Sequence, residues 1–157
     1  LTPPPPDSTL YPSLFPSPPL FRSLGITEGE WLRPGSPAID HIAAMAEAGI
    51  KVAIDDFGSG YSNFSYLSDL PIHTVKLDKS LIDGIADNRR ARAKVSAIHH
   101  LAHELGYLTV AEGVEQEAQM DVLADMGIDE VQGYLLARPM SPAAVRQVFE
   151  QGAGVRA

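Results

Sequence analysis

The chain has 157 residues, 45% of them hydrophobic and 20% charged, which suffices for one soluble domain with a buried core. A formal net charge of −8 argues against a DNA or RNA duplex as partner but leaves room for a small phosphate ligand, because metal ions can reverse the local field. The absence of cysteine excludes disulfides and thiolate metal sites. No apolar run approaches the ~20 residues of a membrane helix and no basic-then-apolar signal pattern is present, so a cytoplasmic protein without direct membrane insertion is expected.

Residues 1 to 23 hold eight of the thirteen prolines, which bars helix or central strand across most of the stretch and predicts a disordered, proline-rich lead. Its apolar residues (Leu10, Tyr11, Leu14, Phe15, Leu20, Phe21) are candidates to latch onto the body of the protein. The first residue is Leu1 rather than Met, so a fragment, an unusual start, or a coding sequence read in the wrong frame before about residue 24 is expected.

From residue 24 to residue 150 the pattern is regular. Leu24-Gly25-Ile26-Thr27 predicts a weak strand, and Ser36-Pro37 opens a helix in the order of N-cap and first-turn proline, closed by Gly49. A buried strand over Lys51 to Asp55 leads into a glycine loop at 58 to 60. Tyr61 to Leu70 predicts a short helix stopped by Pro71, and Thr74 to Leu77 the next strand. Arg89 to Leu105 carries Val95, Ile98, Leu101, Ala102 and Leu105 on one face, the strongest helical period in the chain. Strand 108 to 111, helix 116 to 126, a last strand over Glu130 to Leu135, a helix from Ala143 to Glu150 and a frayed tail over 151 to 157 complete the series.

Strands alternating with helices through short connections predict an α/β fold with a parallel sheet, whose chemistry gathers at the carboxyl ends of the strands. The polar residues falling there are Asp55, Asp56, Lys76, Asp78, Glu112 and Gln132. Two adjacent aspartates repel, so they require compensation by a cation, basic side chains or backbone N–H groups. Local sequence leaves two readings open: a divalent metal site, or aspartates that merely cap the turn at Gly58 to Gly60.

Four stretches in order carry a resemblance to a known family: Asp55-Asp56-Phe57-Gly58-Ser59-Gly60-Tyr61-Ser62, Val75-Lys76-Leu77-Asp78-Lys79-Ser80, Ala111-Glu112-Gly113-Val114-Glu115, and Val131-Gln132-Gly133-Tyr134-Leu135 with Arg138-Pro139. Residues 24 to 150 resemble the C-terminal portion of an EAL domain, the bacterial cyclic-di-GMP phosphodiesterase family. The resemblance implies a TIM-like (β/α) barrel, here incomplete and roughly its second half. It also implies metal-dependent hydrolysis of cyclic-di-GMP to the linear dinucleotide. By the same resemblance Asp55, Asp56 and Glu112 would hold two Mg²⁺ or Mn²⁺ ions, and Lys76 and Glu112 would position and deprotonate the attacking water. Gln132, Glu115 and Asp78 would bind substrate, and Glu28 would tether the loop of Ser59 and Gly60.

The departures are equally specific. No Glu-Ala-Leu occurs anywhere, and Asn63 and Asn88 do not match the family's ligand asparagine. In Leu24-Gly25-Ile26-Thr27-Glu28, Gly25 stands where the resemblance implies a glutamate on a metal. Three ligands are therefore absent, and a truncated domain without hydrolysis of its own is expected. The alternatives are a degenerate module that binds cyclic-di-GMP or a protein partner without turnover, and a remnant that folds poorly. A homodimer through the open barrel edge is a further expectation.

Other features read more plainly. His99 and His103 lie four apart on one helix, but without a His-Glu-x-x-His pattern solvated histidines are expected rather than zinc ligands. Asp56-Phe57-Gly58 lacks every other kinase element. Glu112 and Glu115 on their own would be ordinary acids at a helix N-terminus. Trp31 is expected to cover the apolar edge.

Overall fold

The computed structural model describes residues 23 to 27, 36 to 59 and 64 to 150. Expectations for residues 1 to 22 of the proline-rich lead, Glu28, Trp31, Gly60, the first residues of the helix foreseen from Tyr61, and the tail lie outside these residues, while Ser23, the last residue assigned to the lead, opens the first strand instead.

Five strands, β1 (Ser23–Thr27), β2 (Lys51–Phe57), β3 (Thr74–Leu77), β4 (Leu108–Glu112) and β5 (Glu130–Gln132), form one parallel sheet in sequential order. Sequential order means that each crossover steps to the next strand without reversing, so the helices gather on one face. Those helices are α1 (Pro37–Glu47), α2 (Lys79–Ile82), α3 (Arg89–Glu104), α4 (Glu117–Met126) and α5 (Pro142–Glu150). Val52, Ile54, Phe57, Val75, Leu77 and Ala111 of the sheet join Ile42, Val95, Ile98, Ala102 and Leu123 of the helices in a single core. The opposite face carries Ala53, Asp55, Lys76, Val110 and Glu112. An α/β sheet wound in one direction is the expected TIM-like arrangement, and among the described residues β1 and β5 are its two ends and do not pair with each other.

The local signals act as expected at several ends. Asn88 accepts from Arg90 N at 2.9 Å as the cap of α3, and Gly106 and Gly127, both in the left-handed region, follow α3 and α4. Tyr107 Oη is buried and reaches the carbonyl oxygens of both Leu67 (2.8 Å) and Leu70 (2.9 Å), tying the 3₁₀ turn Phe64–Asp69 to the start of β4.

Three expectations are corrected. β2 does not end at Asp55 but runs to Phe57, because its pairing with β3 slips: Ile54 faces Val75 and Phe57 faces Leu77, so Asp55 and Asp56 together oppose Lys76. This bulge returns Phe57 to the core despite its odd spacing from Ile54. The last strand stops at Gln132 instead of reaching Leu135, because Gly133 is pressed against the Val114 backbone and the chain turns, with Leu136 N and Ala137 N both donating to Gly133 O. His99 is not a solvated histidine. Thr109 Oγ1 donates its proton to Asp129 Oδ2 (2.7 Å), so His99 Nδ1 is the donor to Thr109 Oγ1 (2.8 Å), while His100 and His103 are exposed.

Candidate functional site

The site is built by register. Thr27 pairs with Asp55, Lys76 with Val110, and Glu112 with Gln132, so Asp55, Lys76, Glu112 and Gln132 share the face opposite the helices. Lys76 lies on the strand between the two that carry the acids. Its Nζ is 2.5 Å from Asp55 Oδ1 and also forms an ion pair with Glu112 Oε1. Burial of the ammonium lowers its pKa, but hydrogen bonds and attraction from Asp55 and Glu112 outweigh that, so the pKa stands above its usual 10.5. Lys76 is therefore a fixed cation at neutral pH. Side-chain exposures of 24%, 34% and 19% for Lys76, Asp55 and Glu112 leave the cluster within reach of a ligand.

Asp56 departs from its neighbour. Among the described residues it is the one non-glycine residue with positive φ, at 54°, and its carbonyl accepts from Ser59 N at 3.2 Å. An aspartate tolerates this conformation better than most residues. The bulge turns its side chain out, where it is exposed.

Around this cluster the strand exits are locked together where glycine backbones are closely approached, two by side chains and one by another backbone segment. A Cβ at Gly58 would lie 2.5 Å from Leu81 Cδ1, one at Gly113 2.6 Å from Lys79 Cγ, and one at Gly133 2.0 Å from Val114 O. Helix α2 thus wedges between the loop after β2 and the loop after β4. Gln119, buried, accepts from Glu115 N (2.9 Å) and Gln116 N (3.0 Å) and donates to Ile82 O (3.3 Å), fixing the loop that carries Glu115.

The sequence-predicted residues separate accordingly. Asp55, Lys76 and Glu112 come together. Glu115 pairs instead with Lys79 at 2.5 Å, an ion pair near half exposure on both sides. Asp78 caps α2, accepting from Ser80 N at 2.9 Å, and hydrogen bonding from the Ser80 side chain first, then from the Ser80 and Lys79 backbone, lowers its pKa despite some burial. Gln132 is exposed and two strands from Lys76, and Ser59 is exposed on the loop. Sequence reasoning missed Lys79 and Gln119. Lys79 lay inside a quoted motif, and Gln119 follows Gln116 by three residues in the spacing of a capping box, the one local signal that pointed to it.

The carboxylates of Asp55, Asp56 and Glu112 suit a hard divalent cation by donor type. Their arrangement does not suit one. Lys76 stands between Asp55 and Glu112, and among the described residues no group of three potential ligands converges.

A lysine bridging acids from the strands on either side, beside an Asp-Asp bulge at the carboxyl end of a parallel sheet, agrees with a family match: the model of the EAL domain covers residues 17–139. The chain belongs to the EAL domain family. A cyclic di-GMP phosphodiesterase of Pseudomonas aeruginosa is 42% identical over 119 residues, 76% of this chain and 20% of that protein. Among solved structures, the PaMucR phosphodiesterase in complex with c-di-GMP is 37% identical with a TM-score of 0.72, covering 78% of this chain and 50% of that one. Klebsiella pneumoniae BlrP1, a calcium and cyclic-di-GMP complex, is 34% identical with a TM-score of 0.69, covering 74% of this chain and 30% of that one. The chain spans 17% to 20% of the length of the first two curated relatives it matches. This EAL chain therefore has a TIM-barrel-like α/β fold and homologues named as cyclic di-GMP phosphodiesterases. Among the described residues no helix is long and apolar enough to cross a membrane.

Proposed function

We propose that these residues form the carboxyl-terminal half of a cyclic-di-GMP phosphodiesterase site, and that the 157 residues by themselves do not complete the hydrolysis. The observation that carries the reading is Lys76 bridging Asp55 and Glu112 at three neighbouring strand ends. In the complete reaction, water adds to phosphorus, one P–O bond to the ribose breaks, and the released alkoxide takes up a proton. Glu112 is the acceptor for the proton of water, and Lys76 supplies fixed positive charge to the phosphate. Gln132, on the same face, is a contact for the ligand. Glu115, held by Lys79 and Gln119, shapes the rim of the site. Mg²⁺ or Mn²⁺ is the ion proposed for the complete site, where it would supply Lewis-acid stabilisation of the phosphoryl oxygens; Asp55 and Glu112, as arranged here around Lys76, do not hold it by themselves. The proposed compartment is the cytoplasm.

A second reading, a module that binds cyclic-di-GMP without turnover, is favoured by Gly25. Its missing side chain faces Asp55 Oδ2, which a Cβ would approach to 3.2 Å, so β1 contributes no carboxylate beside Asp55.

Purified protein incubated with cyclic-di-GMP and Mn²⁺, with products separated chromatographically, is expected to yield no linear dinucleotide. Turnover that Asp55→Ala abolishes would overturn the proposal of an incomplete site. Calorimetric titration with cyclic-di-GMP separates the two readings, since heat of binding without product supports the second.

A further inference from the structure

We propose that the outer surfaces of α3 and α4 form a self-complementary docking face for a second copy of this chain, the cations of α3 meeting the acids of the partner's α4 and the reverse. Arg89, Arg90, Arg92 and Lys94 place four of the chain's twelve Lys and Arg residues in the opening turns of α3, in a chain of net charge −8. Arg92 is used internally, donating to the carbonyl oxygens of Ile85 (2.8 Å) and Ala86. Arg89, Arg90 and Lys94 are exposed, and no salt bridge among the described residues engages them. On α4, Glu117, Asp121 and Asp125 recur every four residues as an exposed acidic ridge, which likewise enters no salt bridge there. Local helix stability accounts for neither set. Cations in a first turn and acids in a last turn oppose the helix dipole, yet α3 has no acid in its first turn and α4 no base in its last.

The two ridges match in placement and in pitch. α3 leads into β4 and α4 follows it, so both helices run from the carboxyl to the amino ends of the strands, side by side. Their ends touch: a Cβ on Gly127, the cap of α4, would lie 3.9 Å from His99 Nε2 of α3. Arg90 and Lys94 are four residues apart, as are Asp121 and Asp125, so each pair spans about 6 Å along its helix. Beside these charges the exposed side chains include Ala93 and Ala97 on α3 and Ala118 and Ala124 on α4, small enough for helix axes to approach to about 8–10 Å. A two-fold axis between α3 and α4 lays each basic ridge on the partner's acidic ridge, so that one contact generates the other. An unrelated acidic partner would use the α3 half of this face alone, whereas a second copy uses both halves.

Sedimentation velocity of the whole 157-residue chain tests this. In low salt the parent should sediment as a concentration-dependent dimer, and at about 1 M salt, where the Debye length is about 3 Å, as a monomer. Arg90→Glu with Lys94→Glu, and separately Asp121→Lys with Asp125→Lys, should each weaken association at least about tenfold, because several attractive pairs become repulsive. All four positions are exposed, and the reversals put acids near the start of α3 and a cation in the last turn of α4, so both variants should melt no lower than the parent. Mixing the two variants should restore a one-to-one heterodimer. Each reversal moves the charge by two, from −8 to −12 in one variant and to −4 in the other, so net attraction cannot explain that recovery. A parent that stays monomeric in low salt at its highest soluble concentration overturns the inference. So does a dimer indifferent to both reversals, which places the contact on another face, or a mixture of the two variants that fails to associate. Cyclic-di-GMP binding and turnover bear on the proposed function alone, since these readouts contain no nucleotide.

Discussion

Substituting Gly133 by alanine isolates the close crossing that shapes the end of the sheet. The backbone φ of Gly133 lies outside the left-handed region, so the effect is steric: the new Cβ would sit 2.0 Å from Val114 O and 2.3 Å from Val114 N. A carbon against a carbonyl oxygen needs at least about 3.3 Å, so the two segments must part by roughly 1.3 Å. That separation breaks Val114 N to Gln132 O (3.1 Å) and Leu135 N to Val114 O (3.0 Å), in a place where Val114 is fully buried. Two backbone hydrogen bonds at about 1 kcal/mol each, with 1–3 kcal/mol for overpacking, give a loss of about 3–5 kcal/mol. For a protein of this size, urea unfolding should shift to a midpoint lower by about 2 M. Gly84→Ala is the matched control, because its Cβ would meet only Asn88 Cβ at 3.9 Å, and it should stay within about 0.5 kcal/mol of the parent. If Gly133→Ala unfolds at the same midpoint as Gly84→Ala, the steric argument is refuted.

Tyr107→Phe removes the hydroxyl that serves two buried carbonyls, at a cost of about 1–2 kcal/mol in urea unfolding; an unchanged midpoint would show that water replaces it. Asp78→Ala removes the cap of α2 and should cost about 1 kcal/mol at neutral pH. The folded pKa of Asp78 is lowered, so its contribution is present above its ordinary value of 3.8 and is lost as pH falls through the folded pKa; the gap between variant and parent should close in acid. Glu130 behaves oppositely. Burial, then repulsion from Asp129, raises its pKa despite Lys51, so its charge costs stability above the ordinary 4.5 and the cost vanishes below it. Glu130→Gln should stabilise by less than about 1 kcal/mol at neutral pH and by nothing at pH values below the carboxylate range, and a gain that persists in acid would contradict the cause given.

Much of this molecule is determined by sequence alone, where the deciding forces act within a few residues. Pro37 after Ser36, Asn88 before Arg89, and Gly106 and Gly127 after the apolar runs set helix ends through capping and backbone freedom, so α1, α3 and α4 fall within a residue or two of their predicted ends. The four-residue strand at Thr74 to Leu77 agrees in full because its apolar alternation is bounded by a proline turn and a helix cap. The candidate residues were also legible, since strand ends in a βα series concentrate polar groups. Tertiary structure decided which of those residues meet. The Asp55–Lys76–Glu112 cluster depends on the register of three strands, and the exclusion of Glu115 from it depends on Lys79 and Gln119, partners 36 and 4 residues away. The bulge at Asp55 and Asp56 exists because Phe57 must regain the core, and β5 is short because Gly133 crosses Val114. Contacts between segments far apart in the chain leave no mark in local period or composition, which is why the sequence could name Lys76 but only the packed sheet could place its ammonium between two carboxylates.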